Sequence, residues 1–406
     1  MSSLASTPAA TSVRQPDLKR LAFSPEFELL LVSSALVKGE KSSRDLRSQI
    51  EASIDWPQVL GLAEQHGVMP FVYQALRDLP DVVPHTILDE LRVRYEHNAR
   101  KNLRFTAELI RILDCLESHD IAAIPFKGPV LAEAAYGDLA LREFSDLDIL
   151  VRPTDFLRAK SALRELGFAP SSQLSAAEER ACLEAGYERA FDGPAGRNLL
   201  EIQWRILPRF YAVDFNLDGF FARVSHANIG GRTVKTLCPE DLLLALCVHA
   251  AKHAWLRLCW LRDIAAVAQS QPLKWDRVLK EARELGMERI LGISLLLANR
   301  LLGAGVPDSS AEKWRDHAGI EQLCDQIAPH LPNSEKYSAE SLNYFRLMFR
   351  LRERASDRLR FALRLVLTPG VGEWSVVRLP AALFPLYRVI RLFRLAGRVL
   401  RSGTHR

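Results

Sequence analysis

Residues 126–153 read FKGPVLAEAAYGDLALREFSDLDILVRP and carry the clearest signal of a fold in the chain. It places two aspartates, Asp146 and Asp148, one residue apart at the start of the apolar run 149–151. Successive side chains of a strand alternate between its two faces, so both carboxylates project to the same side of the predicted strand. Like charges this close raise each other's proton affinity unless a cation lies between them. The stretch therefore predicts a strand that carries a cation-binding site.

A third carboxylate extends this predicted site. Glu201 lies in NLLEIQWRI, which we predict to be a neighbouring strand. Mg²⁺ is a hard cation that favours carboxylate oxygens together with the phosphates of a substrate. Three carboxylates on adjacent strands can hold two such ions, one that activates an attacking hydroxyl and one that stabilises a leaving phosphate. We therefore predict that Asp146, Asp148 and Glu201 are catalytic metal ligands for two Mg²⁺ ions.

The turn before this strand has the features of a phosphate-binding loop. Lys127 and Gly128 end the short apolar segment IAAIPFKG, and Pro129 then opens a predicted helix. Glycine lets a phosphate approach the backbone closely, a helix N-terminus favours negative charge, and the lysine adds a full positive charge. Arg142, four residues before Asp146, is a second candidate phosphate ligand.

The aspartate pair alone has other interpretations. Two exposed aspartates at the start of a strand need no function, and the same pattern occurs in metal-dependent glycosyltransferases and in calcium loops. The calcium loop is excluded here because Leu150 and Val151 occupy the places of a further oxygen ligand and of the turn glycine. The glycosyltransferase is disfavoured because the hundred residues before the pair have helical spacing, where such enzymes have a nucleotide-binding αβ region.

Changes in hydrophobic period divide the chain. Apolar residues recur at three- and four-residue spacing before and after a central region, and strand and helix patterns alternate within that region. The predicted divisions are a disordered leader (1–20), a helical N-terminal region (21–118), an αβ core (119–235), a helical C-terminal domain (236–350) and a basic amphipathic tail (351–406).

The bulk composition excludes several classes of protein. The chain has 406 residues, of which 48% are hydrophobic, so it is too apolar to be disordered. A net charge of +5 is small for this length and does not indicate general binding to nucleic acid. Six scattered cysteines, no secretory signal and no apolar run long enough to span a membrane predict a cytoplasmic protein.

Several of these residues also carry a family resemblance. The chain resembles the uncharacterised bacterial nucleotidyltransferase family of the DNA polymerase β-like superfamily, from about Trp56 to Ala266. The segments that carry the resemblance are Lys127-Gly128, Tyr136-Gly137-Asp138, Arg142, Asp146-Leu147-Asp148, Glu201-Ile202-Gln203-Trp204, and the flanking WPQVLGLAEQHGVMPFVYQAL and PEDLLLALCVHAAKHAWLRLCWLRDIA.

The resemblance implies an α+β fold, in which a polymerase β-like mixed-sheet core is flanked by N-terminal and C-terminal helical regions. It implies a Mg²⁺-dependent, nucleotide-binding (ATP-binding) enzyme that moves an NMP from an NTP to a hydroxyl and releases pyrophosphate. The acceptor stays open among a small molecule, a saccharide and a protein. The rival functions are a glycosyltransferase and a catalytically silent protein of the same fold that binds a nucleotide or a partner.

Two departures from the superfamily qualify the resemblance. The turn is Lys127-Gly128, which is this family's own form, where the superfamily commonly has Gly-Ser or Gly-Gly. Gln203 stands where relatives often have histidine, which puts in doubt a role for that position in metal binding or acid-base chemistry.

A histidine pair marks the predicted C-terminal helical domain. His249 and His253 lie four residues apart on one face of a predicted helix, with Lys252 beside them and Trp260 following. We predict that His249, Lys252 and His253 form a wall of the nucleotide or acceptor site. A buried structural role and a zinc pair are the alternatives, although the glutamate of the HExxH motif is absent.

The tail is rich in arginine. Arg391, Arg394, Arg398 and Arg401 lie near one face of a predicted helix. Such a helix either rests on an anionic membrane, which would make the protein peripheral to the inner face of the membrane, or packs on its own chain as a solvated basic helix.

Overall fold

This computed structural model describes residues 11–12, 23–35, 40–50, 53–194, 196–270, 272–307, 318–333, 341–369 and 379–403, together with residues 314, 373 and 377. Most of the predicted leader lies outside the described residues. Strand β1 (Thr11–Ser12) pairs antiparallel with a two-residue strand at Val306–Pro307.

Among the described residues, five helices precede the sheet, as the helical spacing predicts. Asp55 caps one of them by accepting a hydrogen bond from the backbone N–H of Gln58, and Gly67 ends the same helix in the left-handed conformation with φ +64°. The five helices are α1 (Pro25–Ser34), α2 (Glu40–Ile50), α3 (Trp56–His66), α4 (Met69–Leu76) and α5 (His85–Ser118).

A five-stranded mixed sheet forms the core. In strand order it runs β2, β3, β6, β5, β4; the β3–β6 pair is parallel, and the other pairs are antiparallel. The strands are β2 (Ala123–Pro125), β3 (Leu147–Val151), β4 (Ala169–Pro170), β5 (Glu188–Gly193) and β6 (Gly196–Gln203). The parallel pair matters for function because it sets the first residues of β3 beside the last residues of β6.

Helices and a hairpin complete this central region. The helices are α6 (Gly128–Tyr136), α7 (Phe156–Glu165), α8 (Ala176–Ala185) and α9 (Leu217–Ala222), and the hairpin strands are β7 (Ser225–Ile229) and β8 (Arg232–Thr236). Short 3₁₀ turns lie at Leu139–Leu141, Pro153–Asp155 and Arg209–Tyr211.

The described part of the chain after the hairpin is helical except for the short strand β9 (Val306–Pro307). Its helices are α10 (Pro239–Lys252), α11 (Leu258–Ser270), α12 (Trp275–Glu284), α13 (Glu288–Leu302), α14 (Ala318–Ile327), α15 (Leu342–Arg350), α16 (Ala355–Leu367) and α17 (Tyr387–Gly403). The 3₁₀ turns of this region are Ala328–His330 and Ala381–Leu386.

Two hydrophobic clusters stabilise this arrangement. The larger joins the N-terminal helices to α10, α11 and α13, and the smaller packs α5 and α7 on the sheet around the fully buried Trp204. The prediction of an α+β fold with a mixed-sheet core between helical regions is confirmed. Among the described residues, no helix combines the length and the apolarity that crossing a membrane requires.

Candidate active site

The three predicted carboxylates lie together at one end of the parallel strand pair. Asp146 directly precedes β3, Asp148 is the second residue of β3, and Glu201 of β6 is its partner in the register. The side-chain amide of Gln203 joins two of them, because its Nε2 donates to Asp148 Oδ1 at 2.7 Å and to Glu201 Oε2 at 3.4 Å. Asp148 is 5% exposed, so this negative charge lies largely out of water.

Lys127 supplies positive charge to this group. Its Nζ donates to Asp148 Oδ1 at 3.1 Å, and the two side chains are only 12% and 4% exposed. Burial lowers the pKa of Lys127, but the charge of Asp148, their hydrogen bond and the charges of Asp146 and Glu201 together raise it above its ordinary value. The ammonium group is therefore protonated and faces the carboxylates.

One lysine does not balance the negative charge. Burial, followed by the charges of Asp148 and Glu201, raises the pKa of Asp146 to about 6. Burial, followed by the charges of Glu188 and Asp148, raises the pKa of Glu201 to about 8. Raised values on both carboxyl groups mean that the cluster lacks positive charge, which a bound divalent cation would supply. By this criterion the residues fit a divalent cation.

A fourth carboxylate, Glu188 of β5, belongs to this cluster and was not predicted from the sequence. It lies opposite Gln203 in the register, and its Oε2 accepts a hydrogen bond from Gln203 Nε2 at 3.4 Å. A register shift between Phe191 and Gly193 moves the pairing of β5 with β6. Glu188 lies on the same face of the sheet as Glu201, but a single acidic residue in a strand is not distinguished by sequence from an ordinary surface carboxylate.

The Lys127-Gly128 turn joins the end of β2 to the first turn of α6. Gly128 has φ +55°, a conformation that disfavours a side chain, and a Cβ placed there would lie 3.6 Å from the backbone oxygen of Asp146. The turn is thus held against the start of β3. It sets the first residues of α6, with Pro129 in the first turn, beside the carboxylate cluster.

Arg142 is held by a carboxylate of the C-terminal helices. Its Nε and Nη2 donate to both oxygens of Asp263 on α11 at 3.0 to 3.1 Å, and the hydroxyl of Tyr136 donates to the same carboxylate at 2.7 Å. The side chain of Arg142 is 11% exposed. This geometry fits a residue that positions the core against α11, and contact of Arg142 with phosphate stays a prediction.

The histidine pair stacks around Trp260. The ring of His253 is stacked on it at 4.8 Å, and the ring of His249 meets it edge-on at 5.6 Å. Burial and then the charge of Lys127 lower the pKa of His249, and burial and then the charge of Lys252 lower that of His253 to about 3. Both rings are therefore neutral near pH 7.

Lys252 lies between the histidines and the sheet. Its Nζ donates to the hydroxyl of Tyr187 at 2.7 Å and lies 4.6 Å from the centre of that ring. Burial lowers the pKa of Lys252, and the charge of Glu188 opposes this effect. Lys252 is therefore close enough to the carboxylate cluster to feel the charge of Glu188. His249 is likewise close enough to feel the charge of Lys127, which contacts Asp148.

Most of the chain matches a known protein family. Residues 52–303 match the family described as uncharacterised nucleotidyltransferase, which is more than half of the chain. The chain belongs to this nucleotidyltransferase family. The family resemblance seen in the sequence is confirmed, and the family supports transferase activity of the nucleotidyl-transfer type.

Similarity to individual proteins is limited. Among solved structures, the nucleotidyltransferase is similar to the antibiotic-resistance factor ANT(2'')-Ia, studied in solution, at 13% sequence identity and a TM-score of 0.33. The match covers 46% of this chain and 91% of that one. No curated protein matches the chain.

A separate group of potential metal ligands lies on the surface of the nucleotidyltransferase. Among the described residues, the group of three whose ligand atoms all lie within 4.8 Å of one another is Cys115, His119 and Glu165. It joins the end of α5 to α7, where His119 Nε2 lies 3.0 Å from Glu165 Oε1. The three predicted carboxylates lie elsewhere, where the Lys127 ammonium and the Gln203 amide contact Asp148.

Proposed function

We propose that this chain is a Mg²⁺-dependent nucleotidyltransferase that moves an NMP from an NTP to an acceptor hydroxyl and releases pyrophosphate. The observation that carries the proposal is the convergence of Asp146, Asp148 and Glu201 on one end of the β3–β6 pair. Membership of a nucleotidyltransferase family supports the class of reaction.

The proposed metal ligands are Asp146, Asp148 and Glu201, with Glu188 close by. The raised pKa values of Asp146 and Glu201 indicate a cluster that gains from added positive charge. When bound, two Mg²⁺ ions would increase the acidity of the acceptor hydroxyl and neutralise charge on the leaving phosphates.

The turn and the helix behind it are the proposed triphosphate site. Lys127 carries a full charge, Gly128 leaves room for a close backbone approach, and the N-terminus of α6 favours an anion. For Lys127 to bind phosphate, its hydrogen bond to Asp148 must be exchanged for one to the substrate. The lysine is thus proposed to hold the carboxylates before substrate binds and the phosphates afterwards.

The proposed reaction is an in-line displacement. The acceptor oxygen attacks the α-phosphorus, a new oxygen–phosphorus bond forms, and the bond between the α-phosphorus and the bridging oxygen breaks so that pyrophosphate leaves. Glu201 is proposed to accept the hydroxyl proton. Neutral His249 and His253, with Trp260 and Lys252, are proposed to form the wall contributed by the helical domain.

Product analysis tests this proposal. Each NTP, labelled at the α-phosphate, would be incubated with the full chain, Mg²⁺ and a nucleotide-free cell extract as the source of acceptors. We expect label on an acceptor and an equal amount of pyrophosphate. Asp148→Asn or chelation of Mg²⁺ should abolish both, whereas Asp78→Asn, at a carboxylate that is 82% exposed, should change neither. Release of a nucleoside diphosphate instead would overturn the proposed reaction.

A further inference from the structure

The last 55 residues of the chain differ in charge from the remainder. Residues 352–406 contain twelve arginines, no lysine and three acidic residues, which gives this segment a net charge of +9. Because the whole chain carries +5, residues 1–351 carry −4. The positive charge of this protein is thus concentrated at one end of the sequence.

Exposed apolar side chains are concentrated in the same part of the chain. Of the thirteen large hydrophobic residues that are most exposed among the described residues, ten lie between positions 349 and 393. Scattered exposed apolar residues are ordinary on protein surfaces, but a concentration of this kind marks a binding surface. The ten are Phe349, Leu359, Leu363, Leu367, Val377, Leu383, Leu386, Val389, Leu392 and Phe393.

Helix α17 presents its apolar side to solvent. Val389, Leu392 and Phe393 are 45%, 47% and 73% exposed, at spacings that place them on one side of the helix. Arg391 and Arg394 lie on the other side, where both donate to the buried carboxylate of Glu373 at 3.2 and 2.6 Å. A solvated basic helix that packs on its own chain would have the opposite orientation.

Helix α16 also exposes apolar side chains. Leu359, Leu363 and Leu367 recur every four residues along it and are 49% to 61% exposed. Leu363 and Leu367 line a surface depression of about 460 Å³ together with Arg388, the second residue of α17. We call the combined surface the C-terminal apolar face; it comprises Leu359, Leu363, Leu367, Leu383, Leu386, Val389, Leu392 and Phe393.

The charge of the segment identifies the partner. A second copy of the chain is a poor partner, because pairing through this face would bring together two segments that each carry +9. Exposed leucine and phenylalanine beside exposed arginines, such as Arg360 and Arg388, instead fit a bilayer surface whose headgroups are anionic. We propose that the C-terminal apolar face binds peripherally to a membrane that contains anionic phospholipid.

In this arrangement the apolar side chains enter the boundary between headgroups and acyl chains, and the arginines contact lipid phosphates. Arg391 and Arg394 keep their contacts with Glu373 and hold the helix with its apolar side outward. Binding then requires both apolar contact and charge, so that neutral lipid or high salt weakens it.

Vesicle flotation of the full chain tests the proposal. We expect the protein to float with vesicles of phosphatidylcholine and phosphatidylglycerol at low salt, and to stay behind with pure phosphatidylcholine. Leu392→Ser/Phe393→Ser should reduce the bound fraction by at least about tenfold. The matched control is Leu103→Ser/Leu157→Ser, which changes residues that are 61% and 52% exposed far from this segment in sequence and should bind like the wild type.

Three results would overturn the proposal. The first is that wild-type protein does not bind anionic vesicles. The second is that Leu392→Ser/Phe393→Ser still floats with vesicles although circular dichroism shows that it is folded. The third is that light scattering shows a wild-type dimer and that this variant is monomeric. The last result would assign the face to self-association.

Discussion

At the scale of single residues, the site contains one buried lysine that partly offsets the charge of several carboxylates. Lys127 donates to Asp148 in a setting where both side chains are almost completely buried. A buried ion pair of this kind adds little to stability as a pair, but removal of one partner leaves the other as an uncompensated buried charge. The Lys127 ammonium therefore stabilises the fold around Asp148 before substrate binds, in addition to its proposed role in nucleotidyl transfer.

Lys127→Met should lower the free energy of unfolding by about 3 kcal/mol when Mg²⁺ is chelated. Added Mg²⁺ should stabilise this variant more than it stabilises the wild type, because the ion would replace the lost positive charge. Urea denaturation with and without Mg²⁺ measures both effects.

The control for this prediction is Arg100→Met. It removes an exposed ion pair with Glu96 and should cost less than about 1 kcal/mol. An equally small cost for Lys127→Met would show that Asp148 does not depend on the lysine.

Most residues of the candidate site could be placed from the sequence, because strand alternation and the position of a turn are local properties. Asp146, Asp148 and the Lys127-Gly128 turn follow from one continuous stretch. The partner of Arg142 could not be predicted, because Asp263 lies 121 residues further along the chain and meets it only through helix packing.

At the scale of elements, the helices before the core are joined to those after it by polar contacts inside an apolar interface. His66, in the last turn of α3, is completely buried, and its Nδ1 accepts a hydrogen bond from the backbone N–H of Leu258, the first residue of α11. The ring lies edge-on to Phe27 of α1 at 5.3 Å. Burial and then the charge of Arg257 lower the pKa of His66 to about 4.

The buried His66 at this contact between α3 and α11 should make the stability of the fold depend on pH. The unfolded chain protonates His66 near its ordinary pKa of 6.5, whereas the folded protein resists protonation down to about pH 4. Its contribution is therefore complete above pH 6.5 and is lost as the pH falls towards 4, by about 3 kcal/mol in total. His66→Asn keeps an acceptor for Leu258 without a group that takes up a proton, so its stability should fall less steeply over this range.

Urea denaturation at several pH values between 7 and 4 measures the difference. His97→Asn, at an exposed position on α5, serves as the matched control and should follow the wild type. Parallel curves for His66→Asn and the wild type would show that the buried ring does not carry this dependence.

The elements themselves were largely predictable, whereas some details of their pairing were not. Asp55 caps the start of α3 and Gly67 ends it, and both are residue types that commonly start and stop helices. The register shift in β5 depends on how the hairpin packs, since Gly193 lies against the ring of Phe168.

At the scale of the whole molecule, the negatively charged carboxylate cluster and the positively charged segment 352–406 lie in different parts of the chain. The carboxylate cluster lies where the parallel strands of the sheet meet the first helices after the hairpin, and the +9 segment follows all of these elements in the sequence. The sequence predicted that the tail is basic. It did not predict which side of α17 faces outward, because that depends on the pairing of Arg391 and Arg394 with Glu373.

The measurement that tests the central proposal most directly is calorimetric binding of each NTP to the full chain, with Mg²⁺ and with a chelator. We expect at least one NTP to bind only when Mg²⁺ is present, and Asp146→Asn/Asp148→Asn to weaken that binding by at least about a hundredfold. Glu165→Gln, at the separate Cys115, His119 and Glu165 group, should bind like the wild type. Binding that survives the double substitution in a folded protein, or no binding of any NTP to the wild type, would contradict the assignment of this carboxylate cluster as the metal–nucleotide site.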